Sequence, residues 1–323
     1  MRFIFRSPCH SRLDAWVQMS MIAAMSRLIC VHLSAFLFTG LLITSCGGNP
    51  TPRPSKVIQP TAAVKTKGVT PAPPNAPPST AAESAIVIDV VSGRVLYAKN
   101  ADKPRAVAST QKIVTALCVI DAGNIDKPVT IQAIDGACEP TNLDLKPGEV
   151  YPRRELTKVL MVKSANDVAR ALARDVAGSQ ESFALLMNQK AASLGMRNSN
   201  FINPNGLPSS GQYSTARDMA IAARAAYRSP LIRSFTATKA FNFRFNDGRI
   251  RHIENTNRLL KSIPYCDGLK TGTTNAAGRC LVCSGSLNGR SVIVVVLKSN
   301  TPNVWKDATK LLAWALERPP AES

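Results

Sequence analysis

The sequence predicts an α/β fold of the α+β type: a five-stranded, mainly antiparallel sheet flanked by helices, with an all-helical subdomain between its halves. Three observations predict it. Apolar runs of strand length cluster at both ends of the folding part, helical periodicity fills the middle, and neighbouring strands are joined by hairpin-type turns. Strands joined by tight turns need no crossover helix, so they pair antiparallel.

The chain opens with a segment outside that fold. Residues 28–43 form an apolar stretch of 16, preceded by Arg27 and ending in Ile43-Thr44-Ser45-Cys46. A membrane-spanning helix needs ~20 apolar residues, whereas a secretory signal core has roughly 7–15. Small residues before a cysteine resemble the lipobox of bacterial lipoproteins. Residues 1–45 are therefore read as a lipoprotein-type signal region and Cys46 as the lipidation site. A plain signal peptide or an uncleaved anchor would use the same stretch. A signal starting at Met25 has normal proportions, which makes residues 1–24 an over-extended start or a long n-region. The expected location is the cell envelope or periplasm, across the inner membrane, with the membrane reached through the lipid.

Residues 46–83 are read as the lipidated cysteine and a linker, because 47–83 hold nine prolines and almost no large apolar side chains. Such a chain favours extended polyproline II at ~3.1 Å per residue, a reach on the order of 100 Å.

Residues 84–323 form the folding domain, large enough to bury a core without staples. Strands are expected over 85–89 and 95–98, flanking Ser92-Gly93-Arg94 with its turn glycine. Helices are expected over 109–122, 154–177, 180–194 and 215–227, with Thr215-Ala216-Arg217-Asp218 as a capping box. Strands return over 268–271, 280–286 and 291–297, before a last helix over 303–316.

Composition excludes several functions. The formal charge of +19 becomes +16 without residues 1–45, which favours polyanionic surroundings. Aromatics are 6% of the chain and are not interleaved with a basic stripe, so an anionic wall polymer is expected and nucleic acid is not. Cys280-x-x-Cys283 lies in a strand, where residues three apart point to opposite faces. No second such pair exists, so no metal or cofactor is expected. One disulfide among Cys118, Cys138, Cys266, Cys280 and Cys283 is compatible with an oxidising compartment.

Three motifs carry the chemistry: Ser109-Thr110-Gln111-Lys112, Ser164-Ala165-Asn166 and Lys270-Thr271-Gly272-Thr273. A serine hydroxyl is a weak nucleophile and needs a neighbouring base. Residues three apart on a helix are stacked, so Lys112 lies beside Ser109. To act as base Lys112 must be neutral, which burial and a second cation favour; Lys270 is the candidate. The apolar run 113–120 marks this helix as buried rather than as a helix start with a solvated lysine. Ser286-Leu287-Asn288 repeats the second pattern but sits in a hairpin turn, whereas Ser164-Ala165-Asn166 lies between two helical stretches. In the third motif the lysine and hydroxyls suit a carboxylate, and Gly272 admits a substrate backbone. Only His10, His32 and His252 are present, and no G-x-S-x-G accompanies them.

In this order the motifs resemble those of the penicillin-binding proteins and β-lactamases, and more closely the low-molecular-mass D-alanyl-D-alanine carboxypeptidases. The likeness extends through 89–97, Leu145-Lys146-Pro147-Gly148, Asn203-Pro204-Asn205-Gly206-Leu207, 211–219, 255–260 and 267–269. It implies the β-lactamase/transpeptidase-like fold and removal of the terminal D-alanine from peptidoglycan stem peptides. Ser109 would be acylated, Lys112 would take its proton, and Ser164 with Lys270 would return one to the leaving group. Asn166 would hold the substrate amide and order Lys112. The N–H groups of Ser109 and Thr273 would form the oxyanion hole, and Thr271 and Thr273 would bind the carboxylate. β-Lactams would be covalent inhibitors.

Three departures qualify the likeness. The deacylating glutamate of class A β-lactamases would fall near Ile202, where nothing is acidic, so slow hydrolysis of a penicillin ester is expected. Many relatives carry an arginine after the last core strand, and residues 298–306 offer only lysines. Many relatives also continue into a small β-domain and an amphipathic anchor, whereas this chain stops at Ser323, so anchoring is expected at Cys46. An endopeptidase cutting cross-links would use the same site. A β-lactamase and a non-catalytic wall-binding module fit less well, since the glutamate is missing and Ser109 and Lys112 are both present.

Overall fold

The computed structural model describes residues 76–317. These fall within one structural unit, Val69–Ser323. The signal region 1–45, Cys46 and most of the proline-rich segment lie outside the described residues.

The fold opens on β1 (Ser84–Asp89) and β2 (Val95–Lys99). Asp89 closes their turn by accepting from Ser92 N at 2.7 Å, and Gly93 takes the φ of 77° that the turn requires. A 3₁₀ turn (Ala108–Gln111) runs directly into α1 (Lys112–Asp121), so the expected helix over 109–122 begins with a tighter turn. Next come β3 (Pro128–Thr130), α2 (Ala133–Gly136) and β4 (Val150–Pro152), where β3 and β4 form a small hairpin.

The helix expected over 154–177 is two helices, α3 (Arg153–Val162) and α4 (Asn166–Ala177). The break falls on the Ser-x-Asn motif: Ser164 has φ 71° and Ala165 is extended. It persists because Asn166 N donates to Thr141 O at 2.8 Å, a tertiary bond in place of the helical one. α5 (Gln180–Leu194) keeps its expected bounds, capped by Ser179, which accepts from Ser182 N. In α6 (Ala216–Arg228) only half of the expected capping box forms. Thr215 accepts from Asp218 N, but the Asp218 carboxylate turns to Asn198 N and Ser199 Oγ. α7 (Pro230–Ala237) has proline in its first turn. It leads to the hairpin β5 (Ala240–Arg244) and β6 (Ile250–Glu254), then to the short α8 (Leu259–Ser262). The chain closes with β7 (Cys266–Thr274), β8 (Gly278–Leu287), β9 (Arg290–Ser299) and α9 (Asn303–Glu317).

The main sheet has the order β2-β1-β9-β8-β7, every pair antiparallel. Its first two strands come from one end of the domain and its last three from the other, as expected. β9 is central and covered on both faces, which explains its unbroken apolar run. Val292, Val294 and Val296 pack with Val304, Ala308 and Leu311 of α9, whereas Ile293, Val295 and Leu297 join the larger core shared with the helical half. Each such side chain contributes about 1.5–3 kcal/mol by burial.

The same alternation separates the two cysteines of β8. Cys280 lies in the larger core and Cys283 in the α9 core, as the strand reading requires. The five cysteines of the described residues are all free thiols, so the disulfide the sequence allowed is not formed. The folding part also begins before Ser84. Ala81 N and Ala82 N donate to the Asp307 carboxylate at 3.1 and 2.9 Å, tying the end of the proline-rich segment to α9.

Candidate active site

The three motifs converge where the helical half meets the edge of the sheet. Ser109 comes from the 3₁₀ turn, Ser164 from the break between α3 and α4, and Thr271, Gly272 and Thr273 from β7. They line one cleft of about 450 Å³. β7 is the outermost strand, so one of its edges is left to the cleft.

Backbone packing around Ser109 is tight. Ala108 is left-handed, with φ 48°. A side chain at Gly206, itself at φ 84°, would stand 2.3 Å from Ala108 O. One at Gly272 would stand 2.9 Å from Ser109 N. Only glycine fits either position, and together they press the nucleophile's turn between β7 and the Asn203-Pro204-Asn205-Gly206 turn.

A 3₁₀ turn eclipses residues three apart, which brings Lys112 Nζ to 2.8 Å from Ser109 Oγ. Lys112 is fully buried. Its Nζ also lies 2.7 Å from Asn166 Oδ1 and 2.7 Å from Asn205 O. Burial, and then the charge of Lys270, hold its pKa well below the lysine range. A neutral amine has two N–H bonds and one lone pair. The Ser109 hydroxyl itself donates to Asn205 O at 3.2 Å. With Asn166 and Asn205 accepting the two N–H bonds of a neutral Lys112, the remaining direction of its Nζ is left for that hydroxyl's proton, as a general base requires.

Asn166 shows one of its two expected tasks. Its oxygen orders Lys112, but its NH₂ donates to Glu139 O at 3.2 Å and Pro140 O at 3.1 Å rather than opening to the cleft. Lys270 is buried beside the site, donates to Thr271 O at 3.1 Å, and is pushed down to about 7 by that burial. Thr271 Oγ1 donates to Thr256 Oγ1 at 2.7 Å, and Thr273 Oγ1 accepts from Arg279 Nη1 at 2.9 Å.

Arg279 was missed by the sequence reading. The residues searched for a carboxylate-binding cation, 298–306, hold Lys298 on Ala276 O at 2.7 Å. The guanidinium beside Thr273 comes instead from β8, where the register sets Arg279 opposite it. The hairpin pattern of β7 and β8 carried that signal. Asn205 was also missed as a site residue, since it acts through its carbonyl. His252 lies on β6 against Asn242 Oδ1 at 3.0 Å and does not line the cleft. Among the described residues no group of three or more His, Cys, Asp or Glu could hold a metal ion.

A mixed fold with an edge strand bordering a cleft serine and the buried lysine beside it defines the penicillin-binding protein and transpeptidase class. The model of one family in that class, described as D-alanyl-D-alanine carboxypeptidase (peptidase family S11), matches residues 70–301, and the chain belongs to it. It is 37% identical over 243 residues to D-alanyl-D-alanine carboxypeptidase DacF of Bacillus subtilis (strain 168), covering 73% of this chain and 62% of that protein. The chain thus spans less than two thirds of that relative's length. It is 34% identical to a D-alanyl-D-alanine endopeptidase of Pseudomonas aeruginosa, covering 72% of this chain and 77% of that one. Among solved structures, a D-alanyl-D-alanine carboxypeptidase from Mycobacterium tuberculosis H37Rv superposes with a TM-score of 0.73 at 31% identity, covering 77% of this chain and 96% of that one.

Burial of Lys270 has a measurable sign. Unfolded, this lysine titrates at its ordinary value, about 10.4; folded, it titrates at about 7. Between those values the unfolded chain binds the extra proton, so stability rises with pH. Lys270→Met should stabilise the fold at pH 7, on the order of 2 kcal/mol, and flatten the rise of melting temperature from pH 7 to 10, leaving the share due to Lys112. Thermal melts across that range check both effects.

Proposed function

We propose that the chain is a serine D-alanyl-D-alanine carboxypeptidase that trims the terminal D-alanine from peptidoglycan stem peptides through an acyl-enzyme. The observation that carries this is the buried Lys112 amine 2.8 Å from Ser109 Oγ. Ser109 attacks the carbonyl between the two D-alanines while Lys112 takes its proton. The N–H groups of Ser109 and Thr273 stabilise the oxyanion, a contribution typically worth several kcal/mol. Ser164, with Lys270 nearby, passes a proton to the departing D-alanine. Thr271, Thr273 and Arg279 hold the terminal carboxylate, with the guanidinium supplying the charge. Water then attacks the ester, with Lys112 again the base.

An endopeptidase would use the same site, whose cleft is lined beyond the three motifs by Arg258 and Trp305. We also propose attachment in the cell envelope through a lipid on Cys46, on the strength of the Ile43-Thr44-Ser45-Cys46 sequence and the proline-rich segment that follows.

Four outcomes are expected. Ser109→Ala abolishes covalent labelling by fluorescent penicillin and release of free D-alanine from purified muropeptides; a mutant that still labels sinks the assignment. Cross-linked muropeptides in the same assay yield monomers only if the endopeptidase reading is right. Among the described residues no carboxylate is hydrogen-bonded to Ser109 or Lys112. The penicilloyl ester should therefore outlast many peptide turnovers, as mass spectrometry of the acylated protein over time would show. Finally, Cys46→Ala should move the protein from the detergent phase to the aqueous phase on partitioning.

A further inference from the structure

Lys112 is ordered by Asn166, and Asn166 is itself held by backbone. Glu139 O and Pro140 O accept from its side chain, and Thr141 O accepts from its main-chain N–H. These three carbonyls belong to a stretch, residues 138–145, that is neither helix nor strand. Thr141 and Asp144 within it have φ of 86° and 65°. Left-handed backbone at such residues costs about 1–3 kcal/mol each and persists only where the surroundings impose it.

What imposes it is the side chain that follows Asn166. Asp167 is 2% exposed. Its Oδ1 accepts from Leu143 N at 3.0 Å and from Val168 N at 2.8 Å. Its Oδ2 accepts from Leu143 N at 3.0 Å, Asp144 N at 2.9 Å and Leu145 N at 3.4 Å. The carboxylate thus gathers three consecutive loop amides and one of its own helix, at the first turn of α4, where negative charge is favoured. Charge-assisted bonds of this kind are about twice as strong as neutral ones. From the outer side Arg251 Nη1 donates to Leu143 O at 2.8 Å and to Asp144 Oδ2 at 3.0 Å, so the loop is gripped from both faces.

We propose that Asp167 is a positioning residue for the reaction: its carboxylate clamps the backbone of 143–145, so that the carbonyls of 139–141 hold Asn166 and Asn166 holds Lys112 against Ser109. Adjacent residues at the start of α4 divide the work, Asn166 facing the base and Asp167 facing the loop. A carboxylate suits this role because every partner is an N–H donor, and an amide would turn two hydrogens of its own towards them.

The inference rests on reading Lys112 as the base. Asp167 also acts on that lysine through space. The ionisable groups around Lys112 are Lys270 from β7, which lowers its pKa, and Cys138 from the loop and Asp167 from α4, which raise it. Removing the Asp167 charge lets Lys112 lose its proton at lower pH. The acid limb of the acylation rate therefore moves down, an effect that loosened packing alone does not produce.

The test is the rate of acylation by fluorescent penicillin against pH, on the full chain, for wild type, Asp167→Asn and Asp167→Ser, with thermal melts alongside. A folded variant should acylate about tenfold more slowly or worse, as expected of a displaced base, with its acid limb at lower pH. A folded variant within twofold of wild type and with an unmoved limb overturns the proposal. Should neither variant fold, amide exchange of the wild type decides. Leu143 and Asp144 amides as protected as those of α4 support the clamp, and amides exchanging like an open loop overturn it. A wild type that takes no label overturns the reading of Ser109 and this inference with it. A labelled wild type with an equally fast variant overturns this inference alone.

Discussion

Burying one amine where its positive charge is opposed is the constraint around which the rest of this structure is arranged. An ammonium in Lys112's place would sit in a low-dielectric interior beside Lys270, and both burial and repulsion oppose it. The neutral amine still has polar atoms, and leaving them unpaired would be costly. The Asn166 oxygen and the Asn205 carbonyl pair them. Two acceptors are enough for a neutral amine, and the remaining direction belongs to the serine.

That requirement explains features that would otherwise look unfavourable. Ala108 and Ser164 both adopt positive φ, at 48° and 71°. Each helix that supplies a side chain of the first two motifs begins at a distorted junction rather than running smoothly. The strain is carried by rigid neighbours: β7 presses on the nucleophile's turn through Gly272, and the Asn205-Gly206 corner presses from the other side. The sheet is a stiff platform because β9 is buried on both faces. The site therefore lies on a seam between two well-packed halves, where a shift of either would separate Ser109 from Thr271 and Thr273 of β7.

Much of this was legible in the sequence. The apolar runs of β1 and β9, the hairpin turns between them and their partners, and the apolar run after Lys112 reported burial directly, and burial is what side-chain pattern encodes. The three motifs were legible because each uses side chains. What escaped was backbone chemistry and pairing across strands. The Asn205 carbonyl and the carbonyls of 139–141 have no signature in residue type. Arg279 stood in plain view, but only the register of β7 with β8 brings it to Thr273. The short hairpins β3–β4 and β5–β6 give too few residues for a period to emerge. The break between α3 and α4 is a tertiary effect, since residues 153–177 are helix-compatible throughout and a loop carbonyl interrupts them.

The separation of Cys280 and Cys283 onto opposite faces of β8 has a consequence for redox chemistry. Thiolate, not thiol, is the form that attacks disulfides and reacts with oxidants. Burial pushes Cys118 up to about 12 and Cys266 and Cys280 to about 11, and holds Cys283 well above the ordinary thiol value. At neutral pH these four are almost entirely protonated and shielded by packed side chains. Within the described residues these four thiols are carried through the core as small apolar groups of low reactivity.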